Sequence, residues 1–420
     1  MEKYRNRKKI VIFAHSGTRI CLLLIALVPV LFSPLLGLTF LLIFILFRGI
    51  FSAIASSAWN SIVRDIVPSK HLGAFFSKRW SYSIAVSIPI SLAAGFFIRE
   101  WANWYPQKSI LGFSIIFFLG FVAGMIGLYF MSKTPELPMP PLQEKINLFD
   151  LIKRPFKDKN FRRLISFLGS WNFALFLASP FFTIYMVRRL GFDPSFVIIM
   201  TVLSQVVNLV FMRIWGKFSD KYSNKSILGV SGPLVLIAIL LWTFTAMPDR
   251  YSLTLPLLMI IHVLLGISMS GVTLATGNIG LKLAPRGQGT SYLAANSLVS
   301  SLATGIGPIL GGIIANLFAE QQLSLTLEWT GPLGYFGIQT LSFQGLDFAF
   351  FFSFLAGLYS IHRLALVVEE GEIGRSIILQ QLISEVKRPL LNFTSVGGFK
   401  EMVQFPFSLV GRKKRKKDES

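Results

Sequence analysis

Long apolar runs recur along the whole chain, parted by short charged connections. Ten are legible, at residues 10–32, 38–62, 80–98, 110–131, 161–187, 195–214, 227–247, 252–281, 292–318 and 346–366. Each is long and apolar enough to cross the ~30 Å hydrocarbon core of a bilayer as a helix. The expected fold class is therefore all-α: a polytopic membrane protein of about ten transmembrane helices in two pseudo-repeated halves of four and six.

The polar stretches divide the chain. Residues 1–131 form a first half of four spans, 132–160 a cytoplasmic linker, 161–366 a second half of six spans, and 367–420 a basic tail. The linker holds five prolines and a basic amphipathic stretch at 146–163, which predicts an extended tether followed by an interface helix. In the tail, Ile373, Ile377, Ile378, Leu382 and Ile383 recur at nearly helical spacing, and residues 412–417 are all Lys or Arg. Basic residues gather in alternate connections, on the side of both termini, whereas 319–345 has acids but no Lys or Arg. By the positive-inside rule, both termini face the cytoplasm of a cell (inner) membrane.

Composition sharpens this picture. Charged residues make up 15% of the 420, against roughly 25% in soluble domains. The net charge of +21 sits in short clusters between apolar runs rather than along one face, so no nucleic-acid partner is expected. The one cysteine, Cys21, lies within an apolar run, leaving no cysteine metal site, and no cofactor is expected. The polybasic end either attracts anionic lipid at about 1 kcal/mol per charge or is simply solvated. An enzyme would need a nucleophile with its base, or clustered His and acids; His15, His262 and His362 stand apart.

A charged turn, GKFSDKYSNKSIL at 216–228, separates two of the spans, and a near copy opens the chain: Glu2-Lys3-Tyr4-Arg5-Asn6-Arg7 aligns with Asp220-Lys221-Tyr222-Ser223-Asn224-Lys225. Gly49-Ile50 precedes Pro68 with the separation by which Gly266-Ile267 precedes Pro285. On these residues the chain resembles the major facilitator superfamily, whose cytoplasmic signature loop reads G-x-x-x-D-(R/K)-x-G-(R/K)-(R/K). Gly216, Asp220, Lys221 and Lys225 fit; Ser223 replaces the second glycine and Asn224 the first of the last two bases. The resemblance implies a secondary transporter that moves a small solute by alternating access, with a proton or ion as coupling partner, or else a transport-dead member acting as a binding or scaffold protein. It also implies that Asp220 lies near the start of the third span, around Ser77 to Ser81, and that two further helices precede Met1 in a twelve-helix parent.

The resemblance places the cavity among the second, fifth and eighth spans. Arg48 lies mid-span, where an Arg costs about 2.5–3.5 kcal/mol, so it faces protein or water: it either meets a substrate anion between the halves or is held by a carbonyl or acid. Ser52, Ser56 and Asn60 share its span. Trp171, Asn172, Ser179 and Thr183 share one helical face, as a polar wall or as packing with hydroxyls turned to the backbone. His262 is either a proton-coupling group or a hydrogen-bonded core histidine. Ser270, Thr273 and Asn278 are weaker candidates. Arg19 is expected to have a structural partner. Gly305, Gly307, Gly311 and Gly312 with Pro308 predict close packing or a hinge.

Overall fold

The computed structural model describes residues 7–68, 71–134, 148–247, 249–285, 289–332 and 334–393. Glu2 and Lys3, residues 135–147 of the linker and the basic run 412–417 lie outside the described residues. In chain order the helices are α1 (Arg7–Leu31), α2 (Pro34–Ile66), α3 (Leu72–Trp104), α4 (Ser109–Ser132), α5 (Leu148–Lys157), α6 (Lys159–Ala178), α7 (Phe181–Ile184), α8 (Pro194–Lys221), α9 (Asn224–Trp242), α10 (Thr254–Leu283), α11 (Gly289–Leu317), α12 (Leu346–Ala365) and α13 (Arg375–Phe393). With α6 and α7 counted as one, ten spans among the described residues are long and apolar enough to cross a membrane. The third is longer than its apolar run of 80–98, because Lys78, Arg79, Arg99 and Glu100 ride on its two ends, where long side chains reach water.

Local chemistry sets the ends. Pro34 and Pro194 open α2 and α8, at positions where the missing N–H has no helical partner to lose. Asp158 caps α6, with Oδ1 accepting the N–H of Asn160 and Phe161, each at 3.0 Å. That cap splits the basic stretch 146–163 into two helices instead of one.

Pro180 breaks the fifth span. α6 stops at Ala178, Ser179 and Pro180 form a turn, and the helix resumes at Phe181 before widening into a π-turn at Tyr185–Arg189. Irregular backbone at membrane depth survives only where protein or a cavity covers it. Here α11 covers it: a Cβ on Gly307 would lie 3.1 Å from Leu177 N and from Phe173 O. One on Gly311 would overlap the Leu177 carbonyl. These two glycines are therefore close-packing positions, while Gly305 faces open space.

The duplication is one of packing as well as sequence. α1 packs on α2 and α4 as α9 packs on α10 and α12. Two seams join the four-span unit to the six-span unit, α3 along α8 and α2 against α11. Most of the buried core belongs to the six-span unit, around Trp215, Trp242, Tyr185, Phe167 and Phe350. Arg19 lies flat on α4, its guanidinium over Gly124, and its Nε is buried without a hydrogen bond among the described residues.

One feature differs from the sequence reading. The 319–345 connection holds a β-hairpin, β1 (Gln322–Gly331) and β2 (Gly334–Gln344), where only a loop was expected. Its period-two alternation of Leu with Ser, Thr and Glu is a strand pattern, and Gly334, at φ 122, supplies the left-handed turn residue. The tail helix α13 lies on the protein, with Ile378 and Leu382 buried and Ile377 and Ile383 exposed.

Candidate solute cavity and signature loop

The signature loop is clasped from two sides. On one, Asp220 reaches the first turn of α3 and accepts the N–H of Gly73 at Oδ1 and of Ala74 at Oδ2, both at 2.8 Å. These amides lack partners within the helix, and the dipole there favours a carboxylate. The contact falls about one turn before Ser77, because α3 starts at Leu72 rather than near residue 80. Glycine is required on both sides of this crossing. A Cβ on Gly73 would come within 2.6 Å of Asp220 Oδ1, and one on Gly216 would overlap Ser77.

On the other side the segment after α12 binds the loop. Glu369 accepts Asn224 Nδ2 at 2.8 Å and Lys225 N–H at 2.7 Å, while Lys225 Nζ reaches Glu372 at 2.8 Å. Asn224 Oδ1 in turn accepts the Ser219 hydroxyl at 2.8 Å, and Asn278 and Lys282 of α10 donate to Ser219, each at 3.0 Å. This network explains both departures from the signature. Asn224 is fully buried, where a neutral amide both accepts from Ser219 and donates to Glu369. Ser223 caps α9, its Oγ accepting Ser226 N–H at 3.0 Å. Lys221 stays exposed, its ammonium 4.9 Å from the Tyr222 ring.

A cavity of about 450 Å³ lies deeper, among α3, α6, α7, α8, α9 and α10. Its polar lining is Ser179, Thr183, Thr201, Ser204, Gln205, Asn208 and His262, and its apolar lining includes Ile84, Phe176, Phe182 and Trp242. His262 Nδ1 lies 2.8 Å from the Leu258 carbonyl. A carbonyl only accepts, so Nδ1 carries the hydrogen, and Nε2 is left without a protein partner among the described residues. Ser204 Oγ donates to the His262 carbonyl at 2.9 Å, and Ser87 of α3 donates to Gln205 at 3.3 Å, tying the two units together. Asn208 Oδ1 is buried with no hydrogen bond among the described residues, which an acceptor at such a site does not tolerate cheaply.

Comparison with known proteins decides the family. The profile of the Major Facilitator Superfamily matches residues 1–308 and again 164–376. The chain belongs to the Major Facilitator Superfamily. Its curated relatives include a putative proline/betaine transporter of Staphylococcus haemolyticus (strain JCSC1435), 26% identical over 165 residues, and one of Staphylococcus aureus (strain COL), 29% identical over 172. Each match takes in 37% of this chain and spans only about a third of the relative, 33% and 34%. Among solved structures, a double-Trp mutant of XylE superposes with a TM-score of 0.62 at 13% identity, covering 89% of this chain and 82% of that one. The E. coli fucose:proton symporter FucP does so at 0.60 and 11%, covering 88% and 85%. A bacterial homologue of the iron transporter ferroportin, outward-facing, gives 0.55 at 17%, covering 86% and 82%. At such identities the likeness is one of fold, an integral membrane transporter fold.

Within this fold the candidates separate. Ser179, Thr183 and His262 come together on the cavity. Trp171 does not: it is buried, against Phe167 and beside Gly232 of α9. Asn172 turns to the Leu168 carbonyl at 2.7 Å and to Ser300 of α11 at 3.4 Å. Ser270 closes on the Ile267 carbonyl, and Thr273 is half-buried away from the cavity lining. Arg48, Ser52 and Ser56 are exposed on α2, Asn60 is half-buried, and none lines the cavity. The residues the sequence reading passed over are those of α8. Thr201, Ser204, Gln205 and Asn208 stand at i, i+3, i+4 and i+7, a polar stripe at helical spacing inside an apolar span.

Proposed function

We propose that this chain is a secondary transporter for a small zwitterionic solute, held in the α6–α8–α10 cavity and moved as the four-span and six-span units rock about the α3–α8 and α2–α11 seams. One observation carries the reading: the α8 stripe, His262, Ser179 and Thr183 converge on one space of about 450 Å³, beside a broken helix. That volume is within the range of small-molecule sites. The staphylococcal relatives' names point to proline or betaine, each a carboxylate joined to a substituted ammonium group. In this reading Asn208, Gln205 and His262 Nε2 orient the polar end, and Phe176 and Phe182 offer aromatic walls to the onium carbon atoms. His262 is also the group to take a coupling proton, at Nε2. The protein sits in the cell membrane with the signature loop and both termini in the cytoplasm, and its basic end adheres to anionic lipid.

The test is uptake of radiolabelled proline and glycine betaine by the purified chain in proteoliposomes, alongside equilibrium binding. Saturable uptake of one of them is expected, with Asn208→Ala raising the half-saturating concentration and His262→Gln removing any dependence on a proton gradient. Binding without uptake would favour a binding or scaffold protein. Neither binding nor uptake of either solute would overturn the substrate assignment.

A further inference from the structure

Neither the cavity nor the signature loop uses the β-hairpin between α11 and α12. Its strands pair from Gln322 opposite Gln344 to Gly331 opposite Gly334. Side chains alternate across a strand, so Leu323, Leu325, Leu327 and Trp329 occupy one face and Ser324, Thr326, Glu328 and Thr330 the other. The register sets Phe343, Leu341, Ile338 and Phe336 across from the first four. A one-residue slip after Leu325 keeps the sets in phase; without it, Leu327 would meet Gln339 instead of Ile338. Exposure rises along the apolar face towards the tip, from 53% at Leu323 through 59% and 63% to 74% at Trp329. A two-stranded ribbon is marginal in water by itself, and an exposed apolar strip of this length marks a contact with protein or membrane.

Three observations favour lipid. The apolar face runs without a break into the outer surface of the bundle. Phe343 packs on Phe348 and Phe351 of α12 at 5.9 and 5.6 Å between ring centroids, and Phe318 stacks on Phe348 at 4.2 Å. Next to them Phe352 on α12 and Ile309, Ile313 and Leu317 on α11 are exposed, as lipid-facing residues of a span are. The hairpin also begins shortly after Leu317 and ends just before Leu346, so its base sits where two spans leave the bilayer. Ten residues of strand reach about 33 Å from that base. Finally, Trp329 and Tyr335 near the tip are the aromatic types that settle at membrane interfaces, and 319–345 carries Glu320 and Glu328 but no Lys or Arg. That charge suits a zwitterionic surface rather than an anionic one.

We propose that the β1–β2 ribbon lies on the membrane at the end of the bundle opposite the signature loop, its apolar face sunk in the boundary between headgroups and acyl chains. The polar face, with Thr326, Glu328 and Thr330, stays in water. α11 and α12 are then tethered to the bilayer surface by a rigid strap rather than by a loose loop.

The test is a cysteine scan of the full chain in phosphatidylcholine vesicles, on a Cys21→Ala background. Leu325→Cys, Thr326→Cys, Leu327→Cys and Glu328→Cys each receive an environment-sensitive fluorophore, quenched in turn by aqueous iodide and by spin-labelled lipid. Alternation is expected: blue-shifted emission with loss of iodide quenching and gain of lipid quenching at 325 and 327, the reverse at 326 and 328. Iodide quenching at all four positions would overturn the proposal. So would shielding from both quenchers at 325 and 327, which is the signature of a second copy or another protein on that face. A label-free arm covers variants that fold poorly: brominated phosphatidylcholine should quench a component of tryptophan emission that Trp329→Phe removes, and equal quenching of both chains would overturn the proposal as well.

Discussion

The two ends of the α3–α8 seam are held by different physics. At the signature-loop end, two backbone N–H groups of α3 point at one carboxylate of α8, and the helices cross closely enough that Gly73 and Gly216 admit no side chain. Towards the other end, Gly95 of α3 meets only the Ile198 side chain of α8. A charge-assisted pair of bonds needs one geometry and is either made or broken, whereas a dispersion contact fades gradually as surfaces slide. The seam thus has a latch at one end and a slip surface at the other. If the two units rock as proposed, the latch defines a state and the slip surface lets it change.

The largest effect is expected where the latch is cut. Asp220→Ala removes the acceptor of two N–H groups; bonds to a charged group contribute about 1.5–3 kcal/mol each, and half-exposure of Asp220 puts these near the lower figure. Spin labels on the signature-loop ends of α3 and α8 should move apart, with loss of solute uptake, and Asp220→Asn should fall between. Unchanged label distances in Asp220→Ala would mean that the latch does not hold the seam.

A smaller effect is expected from Glu369→Gln, which acts inside the six-span unit and leaves the seam alone. The buried Glu369 carboxylate holds Asn224 and the Lys225 N–H, so its loss frees the segment leading to α13 more than it moves α3. Limited proteolysis should cut faster between residues 366 and 375, with label distances across the seam unaltered. A seam that opens as far as in Asp220→Ala would erase the distinction between the two clasps.

Much of this was legible in the sequence, for reasons that differ by element. The spans show because a bilayer demands about twenty apolar residues of each, whatever their packing. Asp220 showed because the 216–228 turn resembles the family's signature loop, in which that position is the acid. Trp171 and Asn172 show the limit: helical spacing tells that they share a face with Ser179, but Pro180 breaks the helix between the core below and the cavity above. Periodicity does not say which neighbour a face meets. The α8 stripe was readable, yet the expected cavity helices drew attention to the second, fifth and eighth spans and away from the sixth. The hairpin is written in Leu-Ser-Leu-Thr-Leu-Glu-Trp-Thr, which alternates with period two, but in a chain of long apolar helices so short a strand signal stands out less than the segment's want of Lys and Arg. Asn224 looked like a flaw in a signature until its buried position and its two partners showed why a cation does not belong there.

The finest discrimination between latch and slip surface comes from one substitution made at both ends. Gly95→Ala places its Cβ 2.7 Å from Ile198 Cδ1, the far end of a flexible chain that can turn away, with other Ile198 atoms at 3.9 Å. Alanine also favours a helix interior over glycine by about 0.5–1 kcal/mol. The two terms oppose each other and are of similar size, so the melting temperature in detergent and the uptake rate should hardly change. Gly73→Ala makes the same chemical change at the latch, but its Cβ meets Asp220 Oδ1 at 2.6 Å and the Gly216 carbonyl at 2.8 Å. Neither yields without parting the helices, since one is fixed by two hydrogen bonds and the other is backbone. Gly73→Ala should therefore lower the melting temperature and widen the seam as Asp220→Ala does, while Gly95→Ala should not. Equal responses at the two positions would show that the seam is uniform along its length, and that the signature loop adds nothing to it beyond close packing.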